Sequence, residues 1–126
     1  MPALREPLNL GDLLKYEEES LRYSRDQVTV AAGETLALGA VVGRVTATAK
    51  IKRFDPAASD GTETPVGLLL EPVDAALADV PDGVMLARHG IVASGAVVWP
   101  DGITVPQKAA AIAALEGRGI LIRQSA

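Results

Sequence analysis

The sequence predicts a mainly β domain: a small barrel of short strands, one short Ala-rich helix and a flexible N-terminal arm. Three observations carry that expectation. Asp60-Gly61, Asp82-Gly83 and Asp101-Gly102 mark chain reversals, because glycine tolerates positive φ and aspartate hydrogen-bonds its own backbone. Between these turns run short apolar stretches, most of them too short for a helix. One stretch alone carries clear start and stop signals of a helix.

In chain order, Val28-Thr29-Val30 opens the β region, followed by a turn at Ala32-Gly33-Glu34 and then Leu36 to Gly39. Val41 to Thr48 alternates well enough for a strand, and Gly43 within it points to a bulge or a close backbone approach. Lys50 to Asp60 is polar, holds Pro56 and reads as a loop. Pro65 to Pro72 is an apolar run bounded by prolines, the pattern of a buried strand. Val84 to Val92 reads as a strand pair around Gly90, and Ser94 to Pro100 follows it. The helix is expected over Gln107 to Leu115, with Thr104 as cap, Pro106 near the first helical position and Gly117 as its stop. Ile120-Leu121-Ile122 closes the chain as a strand. Gly39-Ala40-Val41-Val42 recurs as Gly95-Ala96-Val97-Val98, either as equivalent corners of a duplicated barrel or as a product of composition.

The head of the chain differs. Residues 1–27 hold ten charged positions, against eighteen over 28–126. Such a segment buries too little apolar surface to order itself alone, which is the pattern of a flexible arm. Leu8, Leu10, Leu13, Leu14, Tyr16, Leu21 and Tyr23 within it would be buried on a partner. The alternative is a short amphipathic helix over Leu10 to Glu19, capped by Asn9 and packed on its own domain. The expected division is an arm over 1–26 and a β-rich domain over 27–126.

Composition excludes several kinds of function. At 126 residues one core is the expectation, and a net charge of −4 argues against binding nucleic acid or an anionic membrane. There is no Cys for a thiol nucleophile, disulfide or zinc-thiolate site, and the single His excludes a multi-His metal centre. No apolar stretch approaches a membrane span, and the first residues lack the layout of a signal peptide, so the chain reads as soluble and unexported. Apolar residues make up 48% but aromatics only 3%, so the core is aliphatic and oligomerisation would add buried area.

The candidate chemistry is thin. His89 as a general base, with Ser94 as nucleophile, lacks an orienting carboxylate in the sequence around it, so a structural histidine is favoured. Asp55, Asp60 and Glu63 lack the ligand spacing of a calcium loop and read as turn residues. Neither phosphate-cradling glycine motif occurs. Lys50 and Lys52 do not sit in the tip motif of a lipoyl or biotinyl carrier. Trp99, beside Pro100 at the end of a strand, fits core packing or an interface. No catalytic, cofactor-binding, metal or small-molecule substrate site is expected.

Three motifs in order resemble the lambda-type bacteriophage head decoration proteins. The first is the opening Ser24-Arg25-Asp26-Gln27-Val28-Thr29-Val30 with Gly33 and Leu36 after it. The second is Asp60-Gly61-Thr62 leading into Val66-Gly67-Leu68-Leu69. The third is Val98-Trp99-Pro100, followed by an Ala-rich helix and Gly119-Ile120-Leu121-Ile122. The resemblance covers roughly residues 24–124. It implies a β-clip-like, β-tulip-type domain that is made in the bacterial cytoplasm, assembles as a homotrimer and sits on the outer face of an expanded phage head at threefold sites. There it would stabilise the shell without catalysis, with the major capsid protein as partner. The seven apolar arm residues would then be the capsid contacts, and Trp99 and Pro100 trimer or capsid interface candidates. The competing reading is a stand-alone β-barrel or β-clip binding module or carrier-type domain.

Overall fold

The structure is a computed structural model that describes residues 10–17 and 24–124. In chain order, a single helical turn α1 (Leu10–Leu13) leads into β1 (Leu14–Glu17), β2 (Arg25–Val30), β3 (Glu34–Leu36), β4 (Val41–Arg44) and β5 (Ile51–Arg53). There follow β6 (Pro65–Leu69), β7 (Val73–Ala75), β8 (Val80–Leu86), β9 (Gly90–Ala93), a 3-10 turn (Ser94–Ala96), α2 (Val105–Glu116) and β10 (Ile120–Arg123). Five strands close a barrel in the order β2-β5-β4-β6-β8. Strands β3 and β7 form a two-stranded ribbon, and β1-β9-β10 a separate three-stranded sheet. The expected small β-barrel with one main helix is what the chain forms.

The barrel wall separates two aliphatic clusters, and strand alternation does the sorting. Along β4 and β8, Val42 and Met85 join Val30, Leu36 and Ile51 in one cluster, while Val41 and Leu86 join the other. That outer cluster is completed by Phe54, by Leu115 of α2 and by Ile120 of β10. β6 divides its side chains between the two and is buried at every position, as its unbroken apolar run predicts. The single parallel pairing of Val30 with Ile51 closes the ring.

Gly43 carries the expected irregularity, a register shift between Val42 and Gly43 where β4 meets β6. The Asp60-Gly61-Thr62 turn lies across it, and a Cβ on Gly43 would stand 2.6 Å from Thr62 Cα. The turn holds its shape because Asp60 Oδ1 accepts from Thr62 Oγ1 at 2.6 Å and from Thr62 N at 3.1 Å. α2 begins two residues earlier than expected. Thr104 caps it reciprocally: its Oγ1 accepts from Gln107 N at 3.2 Å, and Gln107 Oε1 accepts from Thr104 N at 2.9 Å.

Three expectations change, and one open alternative is decided. The segment Lys50–Asp60 is not all loop, because Ile51 is drawn fully into the barrel core and carries β5 with it. Asp82-Gly83 is not a reversal but lies inside β8, where Gly83 pairs with Val28. The reversal between β8 and β9 falls at Arg88-His89, with His89 at φ 54. The two Gly-Ala-Val-Val segments are not equivalent barrel corners. They run side by side, joined by a parallel bridge between Ala40 and Val98, with one in a barrel strand and the other leaving a 3-10 turn.

Residue 26 is not a packing boundary. Residues 10–17 are built into the body, so the segment expected as a free arm is in this stretch an integral strap, neither free chain nor one continuous helix. Apolar burial overrides the local charge density there: Leu13 is 0% exposed.

Candidate interaction surface

The strap is positioned by three leucines. Leu10 and Leu14 pack half-buried against the outer cluster, with Leu13 inside it. Beside Leu13, the chain at Gly39 runs close against the 3-10 turn, where a Cβ would collide with Ala96 O. β1 then pairs antiparallel with β9, matching Leu14 with Val92, Tyr16 with Ile91 and Glu17 with Gly90. The ladder slips between Leu14 and Tyr16, at Lys15, whose Nζ donates to Gly11 O at 2.8 Å. Sheet order leaves β1 as an edge strand, and Tyr16 on it is 54% exposed.

A charged clamp fixes the end of the strap. Ser24, fully buried, donates from Oγ to Glu17 Oε2 at 2.6 Å, and Arg25 Nε donates to the same oxygen at 2.9 Å. Glu17's side chain is only 10% exposed. The Arg25 hydrogen bond holds the Glu17 carboxyl below the usual carboxylate range against the opposing effect of burial, and Ser24 adds to the lowering. A carboxyl that ionises more readily in the folded chain adds stability above its unfolded pKa of about 4.3, and that stability is lost as pH falls through the folded value. Glu17→Gln is expected to cost about 1–2 kcal/mol at neutral pH and to flatten the acid limb of the stability profile. Urea unfolding between pH 7 and pH 3 reads both effects. An unchanged acid limb would mean the clamp carries no load.

Of the seven arm residues expected to meet a partner, Leu8, Leu21 and Tyr23 lie outside the described residues. Leu10, Leu13 and Leu14 face the chain's own core, and Tyr16 faces solvent. Trp99 packs half-buried against the outer cluster, with Lys108 Nζ 5.5 Å from its ring centroid. Pro100, also half-buried, borders a polar cleft of about 460 Å³ with Lys52 and Asp60. Sequence reading missed the clamp, because its partners are brought together by the strand pairing and not by spacing. It also missed Leu77, which is 98% exposed on the loop after β7 and looks from sequence like any core leucine.

The remaining candidates fall to structural roles. Asp55 Oδ1 accepts from Ala57 N, Asp60 Oδ1 from Thr62 and Glu63 Oε1 from Gly61 N, so each carboxylate serves its own loop. Among the described residues no group of three or more His, Asp or Glu converges on a metal-sized site. Lys50 is ion-paired to Asp79 and Lys52 lies within β5, so neither stands free at a hairpin tip. His89 forms the tight reversal against Gly119, whose Cβ would stand 2.5 Å from His89 Cδ2.

A small β domain with an edge strand, exposed apolar side chains on its rim and clefts that lie at its surface is a protein of surfaces, suited to meeting other macromolecules. The chain belongs to the bacteriophage lambda head decoration protein D family, which it matches over residues 3–120, nearly its whole length. It is therefore a structural protein of the phage head, with its place on the capsid. Comparison with curated proteins finds no match.

Proposed function

We propose that the chain is a cement protein: it binds the outer surface of the expanded head at threefold positions as a homotrimer and stabilises the shell without catalysis. Family membership is the observation that carries this reading. The partner is the major capsid protein of a tailed phage. No cofactor, nucleic acid, membrane or small-molecule substrate takes part.

Docking uses the N-terminal segment in a narrower sense than the sequence implied. Among the described residues no strand pairs with the outer edge of β1, which offers backbone groups for strand addition, with Tyr16 beside it as an anchor. Three such edges on one trimer raise avidity over a single contact by about 10²–10⁴ where the geometry lets them engage together. A ligand that binds the expanded shell and not its precursor stabilises the former by mass action, by about 2.7 kcal/mol per site at a hundredfold excess over Kd.

Electron microscopy of expanded heads mixed with the purified protein tests the reading. Knobs at the threefold positions are expected, and a bare shell surface would overturn it. The informative truncation removes residues 1–9 and stops before Leu10. Deleting 1–26 would strip Leu13 from the core and Arg25 from β2, confounding lost docking with lost folding.

A further inference from the structure

We propose that the exposed Asp101-Gly102 turn is a site of spontaneous covalent modification, where the aspartyl residue closes to a succinimide and reopens as isoaspartate. The chemistry needs no partner and stands apart from the capsid reading. The backbone nitrogen that follows an aspartate attacks the side-chain carboxyl carbon. An N–Cγ bond forms, the Cγ–OH bond of the protonated carboxyl breaks, and the hydroxyl leaves with the amide proton as water. Water then reopens the ring. Addition at Cγ restores aspartate, whereas addition at the main-chain carbonyl carbon leaves isoaspartate, with the chain routed through the former side-chain methylene. The step asks for an unhindered nitrogen, a carboxyl not held elsewhere and a backbone free to bring the two together. Glycine meets the first demand best, having no side chain in the way.

The chain has three Asp-Gly steps, and the fold treats them differently. At Asp60-Gly61 both reacting groups are engaged: Asp60 Oδ1 accepts from Thr62 N at 3.1 Å and from Thr62 Oγ1 at 2.6 Å, and Gly61 N donates to Glu63 Oε1 at 2.8 Å. Asp82-Gly83 lies inside β8, where Gly83 is buried and paired with Val28. Its backbone cannot swing onto the carboxyl until β8 parts from β2. Asp101-Gly102 carries neither restraint. Both residues are exposed, and among the described residues neither the Asp101 carboxylate nor Gly102 N has a hydrogen-bond or ion-pair partner. The turn is closed by Ile103 N, which donates to Pro100 O at 3.3 Å, and the space beside Gly102 is open, with nothing within 4 Å of an added Cβ.

The turn itself retains the reactive pair. Gly102 has φ 76, a conformation that side chains rarely adopt, so the least hindered neighbour an aspartate can have is the one the backbone requires there. The segment that isomerisation lengthens joins Trp99 and Pro100 to Thr104, the cap of α2.

Storage of the native chain for weeks in warm buffer near neutral pH tests the proposal. Trypsin then releases His89–Lys108, which carries Asp101, and Phe54–Arg88, which carries Asp60 and Asp82. The first peptide should split with time into chromatographically separate forms of equal mass, beside a minor form lighter by one water. The new form should accept methyl groups from an isoaspartyl methyltransferase and resist an Asp-specific protease before residue 101. Asp60 and Asp82 should isomerise more slowly than Asp101 by about tenfold or more in the folded chain, and all three should react in urea, which assigns the protection to the fold. Asp101→Glu keeps the charge but would have to close a larger, less readily formed ring, and it should leave His89–Lys108 single. An unaltered His89–Lys108 in the native chain, Asp60 or Asp82 keeping pace with Asp101, protection that persists in urea, or a split that survives Asp101→Glu each overturns the proposal.

Discussion

Gly67→Ala is expected to cost about 3 kcal/mol and to lower the melting midpoint by roughly 10 °C or more. Gly67 lies in β6, the strand buried at every position, where the barrel wall has no slack. A Cβ there would collide with the carbonyl oxygen of Leu86 and stand 2.8 Å from Met85 Cγ. Met85 is flexible and can move aside, but Leu86 O belongs to the backbone of β8, the neighbouring strand of the ladder. Relief requires β6 and β8 to separate, breaking the barrel at a wall that both clusters share. Gly95→Ala is the control, because nothing lies within 4 Å of its added methyl and it should be close to neutral. Thermal unfolding followed by circular dichroism compares the two. Equal midpoints would mean that β6 and β8 are not packed this closely.

Two close approaches of this kind account for residues of the Asp60–Leu69 motif. Gly67 in Val66-Gly67-Leu68-Leu69 lets two central strands approach, and Thr62 in Asp60-Gly61-Thr62 lies over the bare backbone of Gly43. The two halves of the motif thus serve two close approaches, one of β6 to β8 and one of the turn to β4. From sequence they look like a turn and a strand, and the second approach is invisible because Gly43 and Thr62 are far apart in the chain and are brought together by the pairing of β4 with β6.

Legibility elsewhere followed how local the deciding interaction was. The helix was readable because Thr104, Pro106, Gln107 and Gly117 act within one turn of its ends. β6 was readable from its unbroken apolar run. Asp82-Gly83 misled because Gly83 serves a close approach to Val28 on another strand, not a positive-φ turn. β5 and the β3–β7 ribbon are three residues each, too short to show periodicity, and they exist through their partners. The candidate surface was half legible for a related reason. The spaced leucines of the N-terminal segment announce burial, but a hydrophobic pattern does not say against which surface. The rim feature Leu77 has no sequence signal at all, since exposure is a property of the folded loop.

Leu13→Ala separates the two roles that the N-terminal segment can play. Leu13 sits fully buried in the outer cluster, on the helical turn that packs against β9 and the 3-10 turn. Truncating it leaves a cavity and removes the strap's anchor, at an expected cost of about 2–5 kcal/mol in the free protein. β1 should then loosen from β9, and trypsin should cut after Lys15 faster than in the parent chain. Tyr16→Ala, on the same strap but 54% exposed, should change stability by no more than about 0.5 kcal/mol while weakening attachment to heads. The opposite pattern, a stable Leu13→Ala protein that fails to attach, would make the leucine a docking residue and the strap a released arm. The core around Leu13 argues for the first pattern, in which stability is held by the inner side of the strap and attachment by its outer edge. One short segment would thus be ordered before it meets the shell, and docking would not have to offset the entropy of folding an arm.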